Sequence, residues 1–335
     1  MTTPLESRRI VIAGASSLLG AELKTLLEES RFAASEFRLV DEETAAGTLT
    51  EAGGEAAVIQ PVEDDSFHKA WIVFFTGSPA FTARNLGLAK ESGARIVDLS
   101  GGCAGQTGAQ TWLPKFEARA GSNPRGNKGI FAIPSAPAEI VARLAVALRP
   151  LQLRTLTAVA FQPVSASAGK AGIEELESQT GQLLSFQPLG KHVFDAQVAF
   201  AMLDRFGDLS SPKLDASLEI LRREVRSSLP NEIAFPALQL LHAPVYYGTA
   251  VSACAFLDGA SDAAAIARAC TSMGFGITNE DAAPSNITPA GETSLQLAPP
   301  RADASAANAW WFWSAADNLR LPAANAVKLA EKLLE

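Results

Sequence analysis

Apolar and polar positions change rhythm several times along the chain. In the first third, apolar residues come in short, nearly unbroken runs of strand length: "RRIVIAGA" (8–15), "EFRLVD" (36–41), "AWIVFFTG" (70–77) and "ARIVDLS" (94–100). Between them, "SLLGAELKTLLEES" (17–30) and the segment 79–92, opened by Pro79, place apolar residues at helical spacing. Strands that alternate with helices predict a parallel sheet with crossover helices. Apolar runs without polar alternation predict that both of its faces are covered. A looser stretch rich in Gly, Asn, Gln and Pro follows at 101–129 and reads as loop with one short helix.

The stretch "NKGIFAIPSAPAEIVARLAVALRPL" (127–151) is a strand, a turn at Pro134-Ser135-Ala136-Pro137, and an apolar-striped helix. Beyond it the order changes. "RTLTAVAFQPVSASAG" (154–169) is a strand leading into a small-residue loop. Helices are expected at 170–186 and 214–229, and 237–257 reads as two strands broken near Pro244 and Gly248. This α+β pattern puts the start of a second domain at 134, giving an α/β domain over 1–133 and an α+β domain over 134–315. The last segment, 316–335, is an amphipathic helix preceded by an Asp-Asn turn.

Composition narrows the function. The chain has 335 residues, 47% hydrophobic and 19% charged, which fits two globular domains. No run approaches the roughly 18 apolar residues that span a bilayer. The N-terminal basic pair runs directly into a strand and a glycine turn rather than a cleavage site, so a cytoplasmic location is expected. A net charge of −8 argues against nucleic acid as a partner. Three cysteines and three histidines without paired spacing argue against a disulfide framework and a metal site.

The turn "GASSLLG" carries the first functional signal. Gly14 permits a tight strand-to-helix turn and Gly20 close helix–strand packing. The amides of Ala15, Ser16, Ser17 and Leu18 are then expected to face an anion over the helix N-terminus. Ser17 stands where the common dinucleotide fingerprint has its middle glycine. Asp41 closes the second strand 21 residues after Gly20, where an acid typically bonds the adenosine ribose 2′-hydroxyl. Glu42 and Glu43 follow, with no arginine in that stretch, so NAD is expected over NADP.

Three stretches together resemble the aspartate-semialdehyde dehydrogenase family over nearly the whole chain. "VIAGASSLLGAELKTLLEE" is similar to its cofactor-binding opening. "AFQPVSASAGKAGIEELESQT" is similar to its Tyr-Gln-x-x-Ser-Gly-Ala-Gly-x-x-Gly loop followed by Glu-Leu. "DNLRLPAANAVKLAEKLL" is similar to its closing Asp-Asn-Leu-Arg-Lys-Gly-Ala-Ala. The resemblance implies a Rossmann-type N-terminal domain completed by the C-terminal helix 316–335, a homodimer built on the central α+β domain, and Asn318 at the cofactor.

The family's chemistry is a reversible, phosphorylating aldehyde oxidation through a cysteine thioester. A thiolate suits it, being both a strong nucleophile and a good leaving group. Carried over residue by residue, the cysteine falls on Ala136, or on Ser135 if the alignment slips by one. The histidine base falls on Thr249 and the substrate-binding arginine on His242. The phosphate-binding arginine after "DLS" (98–100) is replaced by Gly101-Gly102-Cys103-Ala104. Only Gln162, a substrate-holding position, stands as in the family.

Simpler readings stand beside these. Ser135 before Pro-x-Glu is a helix cap, and His242 an ordinary strand-end histidine. Cys103 is a glycine-flanked loop thiol able to face a cleft, whereas Cys254 and Cys270 read as core. "AWWFW" (309–313) reads as core or dimer surface. Three functions stay open: a dinucleotide-binding homodimer without the family's aldehyde chemistry, an NAD(P)-dependent oxidoreductase using direct hydride transfer, and a structural or regulatory partner without cofactor.

Overall fold

The computed structural model describes residues 8–116, 129–259, 262–279 and 281–335. Two compact units are resolved by their internal contacts: Met1–Ser135 with Pro322–Glu335, and Ala136–Leu321.

The first unit holds a parallel sheet, seven-stranded among the described residues, in the order β5-β2-β1-β6-β7-β9-β8. Its strands are β1 (Arg9–Ala13), β2 (Glu36–Asp41), β5 (Gln60–Pro61), β6 (Ala70–Phe75), β7 (Arg95–Asp98), β8 (Ala109–Thr111) and β9 (Ile130–Ala132). Side chains alternate across a strand, and the unbroken apolar runs feed two cores. Ile10, Ile12 and Phe74 join Leu23 and Leu27 of α1 (Leu18–Glu28) on one side. The C-terminal helix α7 (Arg320–Leu334) adds Ala323, Ala326, Val327, Leu329, Ala330 and Leu333 to that same cluster. Val11, Ala13, Val73 and Phe75 meet Phe81, Leu86 and Ala89 of α2 (Pro79–Glu91) on the other. The hydroxyls of Ser17 and Ser78 cap α1 and α2, accepting from the amides of Gly20 and Phe81. A hairpin, β3 (Leu49–Ala52) with β4 (Glu55–Val58), projects between β2 and β5 in sequence.

The second unit is built on a mixed sheet, β11-β10-β12-β16-β14-β13, with β15 on β16. Here β10 (Leu153–Gln162) runs parallel to β11 (Ala237–His242) and antiparallel to β12 (Thr249–Leu257), which pairs with β16 (Ala309–Ala316). The short strands β13 (Phe275–Ile277), β14 (Leu295–Leu297) and β15 (Arg301–Ala302) finish it.

One face carries α3 (Ala136–Leu148), which packs on β10, β12 and β16 and against α5 (Leu214–Ser228) and α6 (Ala263–Ser272). α3 is buried at every position except Pro137, including an i,i+4 pair in which Glu139 accepts from Arg143. The Arg143 guanidinium also reaches the carbonyl of Met273 at the end of α6, so the buried charges are bonded on both sides. The other face has no helix on it among the described residues. It shows Val159, Phe161, Ser252, Cys254, Phe256, Trp311 and Trp313, with Trp311 46% exposed.

Three expectations need revision. Helix α4 (Val164–Leu184) begins one turn before residue 170, because 164–167 wind helically ahead of a kink at Ala168 and Gly169. Residues 314–316 belong to β16, and α7 starts only at Arg320, after Asp317 has accepted from the amides of Leu319 and Arg320. Cys254 lies half-buried on the open sheet face rather than in the core, while Cys270 is fully buried. Of the stretch 101–129, where one short helix was expected, residues 117–128 lie outside the described residues.

Candidate functional site

In the first unit, the chain runs from β1 to β2 and β5 on one side of β1, then crosses back to β6 on its other side. The carboxyl ends of these strands therefore frame a crevice of the kind where open α/β sheets bind ligands. Gly14 sits there at φ +92°, and a Cβ on it would fall 2.2 Å from the Gly77 nitrogen. A Cβ on Gly20 would lie 2.6 Å from the Gly14 carbonyl. Only glycine fits either position, as the sequence reading required.

The turn amides are placed differently from that reading. Gly14 and Ala15 both donate to the Val40 carbonyl (2.8 and 3.2 Å), and Ser17 donates to Gly14 O (3.1 Å). Ser16 donates to Asp41 Oδ2 at 2.7 Å. Of the four amides expected to face an anion, those of Ala15, Ser16 and Ser17 are thus bonded within the protein, while Leu18 opens the helix together with Leu19. The Ser17 hydroxyl turns inward, donating to the Thr76 carbonyl while it caps the helix. Thr76 in turn donates from Oγ1 to the carbonyl of Gly14, a brace that a separation of 62 positions hid from the sequence reading.

Asp41 is 6% exposed, and its second oxygen accepts from the Glu42 amide at 2.8 Å. Its carboxylate thus holds the glycine turn against the end of β2, with remaining lone pairs for a hydroxyl. Glu42 meets an arginine after all: Arg84 of α2 lies with Nη2 2.6 Å from Glu42 Oε1. No local signal linked these two residues.

In the second unit, strand register gathers the positions that the resemblance assigned to chemistry. Gln162 pairs with His242, Phe161 with Ala250, and Thr249 with Ala316, so Gln162, His242 and Thr249 share one end of the sheet. α3, whose first residue is Ala136, lies across the same strands, and Ser135 directly precedes it at the capping position.

Three of these side chains, Ala136, Thr249 and His242, are buried. Ala136 is fully buried and offers only a methyl group. Thr249 is 1% exposed, and its hydroxyl donates to the Phe161 carbonyl at 3.1 Å. His242 is fully buried, its ring 5.5 Å from that of Phe206 and 6.2 Å from that of Phe194. Its Nε2 bonds the Val198 carbonyl at 3.2 Å and its buried Nδ1 has no partner, so burial holds its pKa below the ordinary value.

Gln162 donates to Ser167 Oγ at 3.0 Å. Asn318, assigned to the cofactor by resemblance, accepts from the Gly248 amide (2.7 Å) and donates to Ser165 Oγ (3.2 Å). That link clamps the start of α4 to the turn before β12.

Cys103 does not face a cleft. It is fully buried in the core under the parallel sheet, and burial, with the neighbouring Asp98, pushes its thiol up to about 12. The loop after β7 instead wraps around the Asp98 carboxylate, which accepts from Ser100 N, Ser100 Oγ and Cys103 N. Burial pushes the Asp98 carboxyl above its usual range despite these bonds. Among the described residues no group of His, Cys, Asp or Glu is placed to hold a metal ion, and no helix is long and apolar enough to cross a membrane.

Comparison with known proteins agrees across both units. Residues 9–121 match the semialdehyde dehydrogenase NAD binding domain, and 144–321 match the semialdehyde dehydrogenase dimerisation domain. The chain is 31% identical to a USG-1 protein homolog of Azotobacter vinelandii, over 97% of each chain. It is 26% identical to aspartate-semialdehyde dehydrogenase 2 of Vibrio cholerae, again over 97% of each. Its fold matches that of a probable aspartate-semialdehyde dehydrogenase from Pseudomonas aeruginosa with a TM-score of 0.86 and 25% identity, covering 98% of this chain and 99% of that one. With most of its length matched by those two domains, this chain belongs to the semialdehyde dehydrogenase family.

Proposed function

We propose that the protein is a nicotinamide-dinucleotide-binding homodimer that has lost the phosphorylating aldehyde dehydrogenase reaction. The carrying observation is the state of the three chemical positions: a buried methyl at Ala136, a hydroxyl at Thr249 committed to the backbone, and a caged imidazole at His242. An unactivated hydroxyl is a poor nucleophile, and no side chain here would take its proton.

The crevice residues fit a dinucleotide. Gly14 lets the backbone come close, the amides of Leu18 and Leu19 suit a pyrophosphate, and Asp41 suits a ribose hydroxyl. When bound, such a cofactor supplies a hydride acceptor or donor. Glu42 and Glu43, after the inward-turned Asp41, favour NAD over NADP, since a 2′-phosphate would meet two exposed carboxylates and one arginine already paired with Glu42. The open face of the second sheet, with Phe161, Phe256, Trp311 and Trp313, suits burial against a second copy.

A second reading, a partner that takes no nucleotide, draws support from the internal bonding of the Ala15, Ser16 and Ser17 amides. Calorimetric titration with NAD separates the two: binding is expected, and its absence favours the partner. The chemistry is tested by phosphate-dependent oxidation of aspartate semialdehyde with NAD and NADP. The wild type is expected to be silent, with a trace of activity in Ala136→Cys combined with Thr249→His. Wild-type turnover at ordinary enzyme rates, roughly 1–1000 per second, would refute the loss of chemistry.

A further inference from the structure

We infer that Glu42 masks Arg84, and that this ion pair sets the choice between NAD and NADP; the inference rests on the dinucleotide-binding reading above. Asp41, which would ordinarily reject a 2′-phosphate, is turned inward. It is 6% exposed and bonded to the amides of Ser16 and Glu42. The charge presented at the rim is therefore carried by its successors, Glu42 and Glu43. Glu42 ends at Arg84, whose guanidinium comes from a helix on the far side of the crevice.

The pair lies 2.6 Å apart with side chains 59% (Arg84) and 44% (Glu42) exposed. An exposed ion pair is weak and exchanges readily with other partners. A guanidinium presents a planar fork of donors that matches a phosphate, and an arginine near the end of the second strand is the usual means of accepting a 2′-phosphate. Arg84 is such an arginine, neutralised in the wild type by Glu42. Removing the Glu42 charge does two things at once: it deletes one repulsive carboxylate and releases the fork.

Dissociation constants for NAD and NADP, measured by calorimetry on the full chain, test this. Glu42→Gln is expected to improve NADP binding relative to NAD by about tenfold or more, the scale of one charge-assisted hydrogen bond. Arg84→Gln alone is expected to weaken NADP further while leaving NAD within about twofold. In Glu42→Gln with Arg84→Gln, most of the gain is expected to vanish. Glu43→Gln makes the same charge change without touching Arg84 and is expected to give a clearly smaller gain. If the gain survives in the double variant, or Glu43→Gln matches it, the effect is bulk charge and the inference falls. An unchanged NADP-to-NAD ratio in Glu42→Gln overturns it too. A wild type that binds neither nucleotide overturns the dinucleotide reading itself, a result distinct from binding with an unaltered ratio.

Discussion

Replacing Gln179 with methionine removes the amide that organises the chain segment over His242. Gln179 is fully buried on α4. Its Nε2 donates to the carbonyls of Gly190 (2.8 Å) and Ala196 (3.0 Å), and its Oε1 accepts from the amides of Val198 (2.8 Å) and Ala199 (3.2 Å). One side chain therefore satisfies four backbone groups in a stretch with no regular strand or helix of its own.

Val198 and Ala199 are fully buried, so their N–H groups have no route to water once the acceptor is gone. Each orphaned buried group costs about 1–3 kcal/mol. Gly190 and Ala196 are half-buried, and their carbonyls regain water at small cost. Methionine fills nearly the same volume, which limits any cavity cost to a fraction of a leucine-to-alanine change. The sum is a loss of about 3 kcal/mol, or about a hundredfold in the local opening equilibrium.

Urea denaturation gives the global loss, and hydrogen exchange at Val198 and Ala199 gives the local one. The Val198 carbonyl is the partner of His242 Nε2, so the ring should lose its anchor as well. A loss under about 1 kcal/mol with unchanged protection at both amides would show that these bonds are replaceable, and that the segment is held by its apolar contacts with Phe194 and Phe206 instead.

Two other outcomes follow from the same geometry. His242 has its pKa lowered by burial, so in mild acid the unfolded chain binds a proton that the folded chain resists. Its contribution to stability is complete above the unfolded value, about 6.5, and declines as pH falls below it, at up to about 1.4 kcal/mol per pH unit. The stability difference between pH 7 and pH 5 should shrink in His242→Phe, and an equal difference in both proteins would count against this. On the open sheet face, Val159→Lys places a charge between Gln239 and Ser252 and is expected to convert a dimer to monomer in analytical ultracentrifugation at micromolar concentration. A wild type already monomeric would remove the dimer proposal.

Much of the scaffold was legible from local pattern. The strands β1, β6 and β7 announce themselves as apolar runs because both their faces are covered, so little polar alternation interrupts them. Pro79 marked a helix start because its fixed φ suits the first helical turn, whereas the caps by Ser17 and Ser78 came only with the structure. The glycines at 14 and 20 could be assigned from spacing alone, since a turn between a strand and a helix has few ways to close. The positions that the resemblance assigned to chemistry, Ala136 or Ser135, His242 and Thr249, could be named once the quoted stretches fixed their places.

What escaped that reading depends on groups distant in sequence. Strands of two or three residues, such as β13 to β15, are too short to show a period; β14 and β15 form because β16 supplies a partner, and β13 because β14 does. Whether Cys103 faced a cleft or the core was decided by Asp98, a buried carboxylate that draws the loop amides inward. Asp41 turned toward Ser16, and Arg84 reached Glu42, because sheet order brings α2 and the end of β2 to one mouth. His242 sits between two phenylalanines only because Gln179 and the Leu203 bridge fold that segment across the end of β11. The sequence by itself determined the elements and which side chains are available. The tertiary structure decided which of them face each other, because hydrogen bonds and burial are set by distances in space that no local window of residues contains.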